Sequence, residues 1–452
     1  MATPYRGGFT PATEEITAYD LPVTGRVPAE LNGRYLRNGP NPLGLDDPGA
    51  AHLFLGAGMV HGVRLRDGRA EWYRNRWVRN ADVAGRLGEQ PRSVLAHEGM
   101  DFSPNTHVIG VAGRTYATME AGALPYELGY ELETLGPCDF DGGLPGGYAA
   151  HTHLDPVSGE LHAMAYYFGW DHHQHIVLDA KGTVIHTRDI PIADKPMMHD
   201  FALTGRYVVL YDLPVTFSMP HAERGSPMPY AWNEEHGSRV GLLSRATGEI
   251  RWVEIEPCWV FHTLNAYDDG AQVVVDVVSY PKRFVDARLD LGGEPSLDRW
   301  RIDPATGTAS RTRLDDRAQE FPRMDERRTG RPYRYGYTAA ARDLVDVIYP
   351  GDAELEDLPD EAFDNTLIKH DLARGTQQQR QFGRGAYVGE PVFVPAGDAE
   401  DDGYVLSFVN NPDRGAADLV ILPAQDFTGD PVAVVHLPAR VPLGFHGSWV
   451  AD

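Results

Sequence analysis

GYAAHTHLDPVSGELHAMAYYFG, residues 147–169, reads as a β-hairpin. His151 and His153 stand two apart in a strand-like run, Asp155 to Gly159 form a turn, and Leu161 to Phe168 make a second apolar strand. Side chains alternate across a strand, so both histidines share one face. That is a beginning for a metal site, although a lone His-x-His is more often one hydrogen-bonded histidine beside a solvated one. Whether the pair is chemistry depends on ligands from elsewhere in the chain.

The hairpin recurs. DPVSGE at 155–160 has counterparts in SRATGE at 244–249, DPATGT at 303–308 and DLARGT at 371–376, each a turn in which glycine can take positive φ. Short β-rich runs accompany such turns, clearest at Tyr207–Tyr211, Val273–Ser279, Tyr404–Val409 and Leu419–Leu422. Amphipathic-helix periodicity is scarce. Hairpin units repeated along most of the chain predict an all-β fold built radially, a β-propeller with blades of unequal length. A large sandwich is the plainer alternative, and the number of units disfavours it. ELNGRYLRNGPNP at 30–42 predicts a strand running into a tight turn, and HLFLGAGMVHGVRL at 52–65 a loop leading into a strand. Stretches 281–300 and 351–366 read as long loops of the kind that overlie one face of a scaffold. No linker marks a boundary, so residues 1–452 read as one domain, with about 1–15 as an N-terminal arm.

A net charge of −24 argues against nucleic acid as a partner, because phosphate binding needs a basic surface. Cys138 and Cys258 match no zinc or redox spacing, which suggests a reduced, cytoplasmic protein. The N-terminal MATPYRGGFTPATEEI lacks the basic start and apolar centre of a signal peptide. No apolar run approaches the roughly 20 residues of a membrane span. Neither GxGxxG after a strand nor GxxxxGK[ST] occurs, so no NAD or flavin is expected.

Most of the 18 histidines are expected to be structural or solvated. His52, His61, His97, His107, His186, His221, His236, His370 and His436 have no partner at a recognised spacing, and DHHQH at 171–175 reads as a solvated turn. Four others share a context at a strand edge among small or apolar residues: His151 in GGYAAHTHLDP, His199 in PMMHDFALTG, His262 in WVFHTLNAYDDG and His446 in VPLGFHGSWV. The first three are about one hairpin unit apart, and the fourth follows after about three. Inner strands of a propeller converge on its axis, so one inward histidine on each of four blades would set four imidazoles around one ion.

These segments, taken in order, resemble the carotenoid cleavage oxygenase family from about residue 15 to the C-terminus. The marks are RYLRNGPNP, MVHGVRL, NTHVI with EAGALPYEL (105–128), AHTHLDPVSGEL, MHDFALT, FHTLNAYDDG, GEPVFVP and GFHGSW. No single one is specific; eight in sequence are. The resemblance implies a seven-bladed β-propeller, capped on one face by a dome of loops and helices, with one non-haem Fe(II) on the axis. It implies His151, His199, His262 and His446 as ligands, sets His153 aside, and places Glu120, Glu320 and Glu390 behind the ligands. A ligating imidazole must be neutral and correctly turned, and a carboxylate accepting its other N–H achieves both.

The implied reaction uses O2 as co-substrate to cleave a C=C bond, giving two carbonyl products. Phe102, Tyr148, Phe261, Phe445 and Met119 are expected along the substrate tunnel, with Tyr126, Trp170, Phe217 and Trp232 as further aromatic candidates. Met219, Pro220, Met228, Pro229, Tyr230 and Trp232 are placed at an apolar mouth, from which a carotenoid would be drawn out of a membrane surface. No obligate protein partner is evident. Members that cleave hydroxylated stilbenes carry a lysine just before the first of the three glutamates. Met119 stands there, which favours a carotenoid or apocarotenoid over an aryl alkene such as a stilbene or phenylpropene. The other classes to exclude are a lactonase-like propeller hydrolase and a non-catalytic binding propeller.

Overall fold

The computed structural model describes residues 8, 10–44, 53–91, 101–144, 146–226, 228–282, 284, 294–340 and 365–452. Seven sheets of four or more strands follow one another along the chain, each forming one blade of a β-propeller, and a two-stranded ribbon stands apart from them. The strand nearest the axis is Gly447–Ala451 in blade 1, His107–Val111 in blade 2, Thr152–Leu154 in blade 3 and Ala202–Leu203 in blade 4. It is Trp259–Asp269 in blade 5, Gln319–Arg323 in blade 6 and Val392–Pro395 in blade 7.

Two segments from the ends of the chain close the ring. Gly447–Ala451 adds to Gly33–Pro40 in blade 1, and Val23–Gly25 adds to Ala433–His436 in blade 7. The hairpin turns are as predicted, with φ of +73° at Gly159, +74° at Gly248, +71° at Gly307 and +63° at Gly375. Burial explains the composition of the strands. Gln272–Tyr280 (QVVVDVVSY) packs on both faces and is buried from Val273 onward, whereas Thr376–Gln381 (TQQQRQ), at the rim of blade 6, is mostly exposed.

Three local expectations are corrected. The RNGPNP segment is no turn at its start: one strand, Gly33–Pro40, runs through Asn38 and Gly39, fully buried. Glycine is required at 39 because a Cβ there would lie 2.6 Å from Gly444 Cα. DHHQH is no solvated turn either. His172–Leu178 is a strand of blade 3, with His173 and His175 buried; His173 faces Pro196 O at 3.0 Å and His175 pairs with His162 at 3.0 Å. Within 281–300, Ser296–Asp303 is a strand of blade 5. Residues 283 and 285–293, stretch 351–364, most of the N-terminal arm, His52 and His97 lie outside the described residues.

Between two strands of blade 4 the chain forms the ribbon Val215–Phe217 with Tyr230–Trp232 and the helix Met219–Glu223. A second short helix, Ala81–Arg86, is capped by Asn80, whose side chain accepts from Val83 N at 3.0 Å. Among the described residues no helix is long and apolar enough to cross a membrane.

Asn38 links this scaffold to the axis. Its backbone exchanges hydrogen bonds with His446 O (2.9 Å) and Phe445 N (3.0 Å), and its Nδ2 donates to Pro104 O (3.1 Å) and His107 O (3.0 Å). Asn38→Ala would leave two buried carbonyls unpaired, so a loss of about 2–3 kcal/mol in stability is expected. Denaturant unfolding checks this, and a loss below about 0.5 kcal/mol would refute the role.

Candidate metal centre

Each blade delivers one polar side chain to the axis at or near the start of its inner strand: His446, His107, His151, His199, His262, Glu320 and Glu390 in blades 1 to 7. Four of these meet. The Nε2 atoms of His151 and His199 are 3.1 Å apart, those of His199 and His262 3.2 Å, and those of His262 and His446 3.1 Å. All four donor atoms lie within 4.8 Å of one another.

A bulge aims His262. The strand Trp259–Asp269 slips register on both sides of Thr263, which breaks regular pairing at His262 and turns its ring inward. A second slip in blade 6, between Glu320 and Arg323, accompanies a positive φ of 53° at Phe321, whose N–H donates to Glu320 Oε2 at 2.8 Å.

Carboxylates set the tautomers. His262 Nδ1 donates to Glu320 Oε2 at 2.6 Å, and His446 Nδ1 donates to Glu390 Oε1 at 2.9 Å. Glu320 is also held by the Tyr280 hydroxyl, and Glu390 by Arg323 Nη1 at 3.0 Å and Gly447 N at 2.7 Å. Glu120 lies 3.7 Å from His199 Nδ1 and 3.8 Å from His151 Nε2, beyond hydrogen-bond distance of either ring.

With Nδ1–H committed outward, the inner Nε2 atoms of His262 and His446 present bare lone pairs, a repulsive arrangement at 3.1 Å unless a cation lies among them. Burial, and then the neighbouring imidazoles, hold His151 and His199 well below the ordinary imidazole value, and burial lowers His446 against the pull of Glu390. Burial lowers His262 too, but Glu320 outweighs it and the net shift is upward. Burial raises Glu320 and Glu390, yet their partners bring both below the usual carboxylate range, whereas burial pushes Glu120 well above it. The centre therefore favours one added positive charge on neutral nitrogen donors. That donor set fits a divalent transition metal.

An apolar cavity of about 160 Å³ opens over the four imidazoles, with His199, His262 and His446 on its wall. Phe102, Met119, Phe261 and Phe445 line it. Tyr148 does not: it is buried between blades 2 and 3 with Tyr116, Ala163 and Leu178, its ring 5.5 Å from that of Phe140. Tyr126, Trp170, Phe217 and Trp232 also stand off the wall, whereas Met228, Pro229 and Tyr230 are on it. Met219 is exposed on the outside of its helix. Residues not foreseen include Phe54, Thr106, Tyr166, Phe168, Met197 and Phe321. They come from several separate parts of the chain, and no local pattern sets them apart from core residues. A smaller, polar cavity of about 90 Å³ undercuts the same centre, lined by His151, His153, Asp200, Arg323 and Glu390 among others.

His107 is the axial histidine that spacing did not reveal. Its Nδ1 lies 3.2 Å from Ala150 O and its Nε2 3.3 Å from Gly447 O and 3.2 Å from Ser448 Oγ. Burial lowers its pKa to about 3, so the ring stays neutral and stitches the backbones beside His151 and His446 together. His61, His236, His370 and His436 are hydrogen-bonded within the scaffold, as expected.

A seven-bladed propeller with a four-histidine metal site on its axis defines the class of this protein. Residues 9–451 match the family described as retinal pigment epithelial membrane protein, the carotenoid oxygenase family, and the chain belongs to it. It is 44% identical to the carotenoid cleavage oxygenase of Mycobacterium tuberculosis, over 99% of this chain and 97% of that protein. It is 31% identical to the isoeugenol monooxygenase of Pseudomonas nitroreducens, over 98% of this chain and 97% of that protein. Among solved structures, Pseudomonas brassicacearum lignostilbene dioxygenase superposes with a TM-score of 0.86 at 28% identity, covering 100% of this chain and 98% of that one. Cobalt-substituted Synechocystis ACO gives a TM-score of 0.86 at 27% identity, covering 99% and 98%.

Proposed function

We propose that this chain is a non-haem Fe(II) dioxygenase that uses O2 to cleave a C=C bond of a carotenoid or apocarotenoid, yielding two aldehydes. The observation that carries this reading is the cluster of four axial imidazoles, three of them on the wall of a largely apolar cavity. His151, His199, His262 and His446 would hold iron, with Glu320 and Glu390 orienting the rings of His262 and His446 and offsetting charge, and Glu120 standing behind His151 and His199. Bound iron(II) supplies the capacity to engage O2 beside the substrate. The chain's residues do the remainder. Phe261 packs edge-on to His199, with ring centroids 5.0 Å apart, and Phe54 meets Phe445 at 5.5 Å, so the wall beside the imidazoles is aromatic and dry. That wall holds one double bond near the centre and excludes water. Met228, Pro229 and Tyr230 extend it toward an apolar mouth suited to drawing substrate from a membrane surface, by a protein that is otherwise cytoplasmic.

The reading rests on the products. Incubation of the iron-loaded protein with apocarotenals under 18O2 is expected to label both carbonyl products; label in one product only would replace dioxygenation with monooxygenation. Lactone hydrolysis without O2 would favour the hydrolase class, which the all-nitrogen donor set disfavours.

An aryl alkene is the second reading, supported by the isoeugenol and lignostilbene relatives. Met119, on the cavity wall, offers no hydrogen bond to a phenol. Met119→Lys is expected to lower turnover of an apolar polyene by about tenfold or more, since an unpaired ammonium on that wall costs several kcal/mol. It should raise turnover of a hydroxystilbene. Parallel kcat/KM measurements on both substrates decide, and unchanged ratios would remove Met119 as a determinant.

A further inference from the structure

Asp200 is buried, adjoins His199, and accepts three hydrogen bonds from three blades. Its Oδ1 accepts from His153 Nε2 of blade 3 and from Phe201 N of its own blade 4, each at 2.8 Å, and its Oδ2 accepts from Thr263 N of blade 5 at 2.8 Å. The donors flank the axial histidines: His153 is two residues from His151, and Thr263 follows His262. The Thr263 contact replaces pairing disturbed by the bulge that aims His262. Asp200 lines the polar cavity beneath the centre and is absent from the wall of the apolar one.

We infer that Asp200, oriented by His153, is a positioning residue that fixes the relative placement of the blade 3, 4 and 5 imidazoles and thereby sets metal affinity. The inference rests on the metal reading above. It also accounts for His153, since the second histidine of the His-x-His pair anchors the carboxylate that ties its neighbour's blade to the next two. A carboxylate is needed because all three partners donate. An asparagine of the same shape has one accepting oxygen, and its amide would oppose at least one N–H.

The test is titration of the metal-stripped full chain with Co(II), followed by calorimetry and by visible absorption of the bound ion. Wild type is expected to bind one Co(II) per chain. Asp200→Asn should bind at least about tenfold more weakly, as for loss of an outer partner of ligands, with a shifted spectrum in protein still folded by circular dichroism. His153→Phe releases the blade 3 tie alone and should weaken binding by a smaller factor, which keeps the inference testable should Asp200→Asn fail to fold. The double variant should be no weaker than Asp200→Asn, because both act through one carboxylate. Because Asp200 stands away from the apolar cavity, KM of the iron-loaded variant should stay within about twofold. Wild-type affinity and spectrum in both single variants, with only thermal stability lowered, would overturn the inference and leave the metal reading standing. Absence of Co(II) binding by wild type would overturn both.

Discussion

Replacing His199 with alanine is expected to abolish turnover and lower metal affinity by more than about 100-fold while the propeller stays folded. The loss should exceed the 10–100-fold typical of removing an outer-shell partner, because one of four donors itself disappears. The fold should survive because the contacts of the His199 side chain are with other side chains: the His151 and His262 nitrogens, the Phe261 ring and, at 3.7 Å, Glu120. The variant instead removes one member of a crowded set of lone pairs, which favours the metal-free chain. Three measurements check this together: iron per chain, product formation, and the thermal shift on adding metal. A ligand at 100 times its Kd stabilises a protein by about 2.7 kcal/mol, so wild type should show a clear upward shift and His199→Ala none. Metal content and turnover within a few-fold of wild type would show that the axial cluster is not the site.

Glu390→Ala is expected to damage both stability and the centre. The carboxylate accepts from His446 Nδ1, Arg323 Nη1 and Gly447 N, and its residue is only 2% exposed. Alanine would leave the His446 ring free to turn and a nearly buried guanidinium without its inner partner. Breaking such a pair costs about 3–5 kcal/mol, and the lower end applies because Arg323 keeps its contact with the more exposed Glu326. Metal affinity should fall by about 10–100-fold in parallel. Glu390→Gln separates the two effects, since it keeps the volume and one acceptor but removes the charge.

The sign of the pH dependence follows from the lowered pKa of Glu390. Its stabilisation is complete above the ordinary glutamate value of 4.5 and is lost as pH falls toward the lowered one. Acid unfolding should accordingly be shallower in Glu390→Gln than in wild type. Equal acid dependence and equal iron content in the two would refute the assignment.

Much of this molecule is legible without coordinates. The turn sequences with glycine at fixed offsets require hairpins, because glycine alone takes those positive φ angles without strain, and repeated hairpins with few helices point to blades. The four axial histidines share a strand-edge context among small or apolar residues, and the resemblance of those segments to the family marks them as donors. His107 occupies the same kind of position in blade 2 and was not legible as an axial residue. Its neighbours in NTHVIG resemble any strand start, and only the carbonyls of Ala150 and Gly447 reveal that its nitrogens face backbone.

The cavity wall is the opposite case. Phe102 and Met119 were anticipated there, Tyr148 was misplaced, and Phe54, Tyr166 and Phe168 were missed, because a buried aromatic looks the same in sequence whether it faces a cavity or a neighbouring blade. The resemblance carried by eight segments supplied the donor roles and the three glutamates, whereas the sequence by itself determined the repeating hairpins and the shared strand-edge context of four histidines. Those are properties of residue type and of position within one strand. Tertiary structure alone decided which aromatics surround the centre, that His107 braces it, and that His153 serves Asp200. Each depends on which surfaces of separate blades face one another, and no local pattern encodes that.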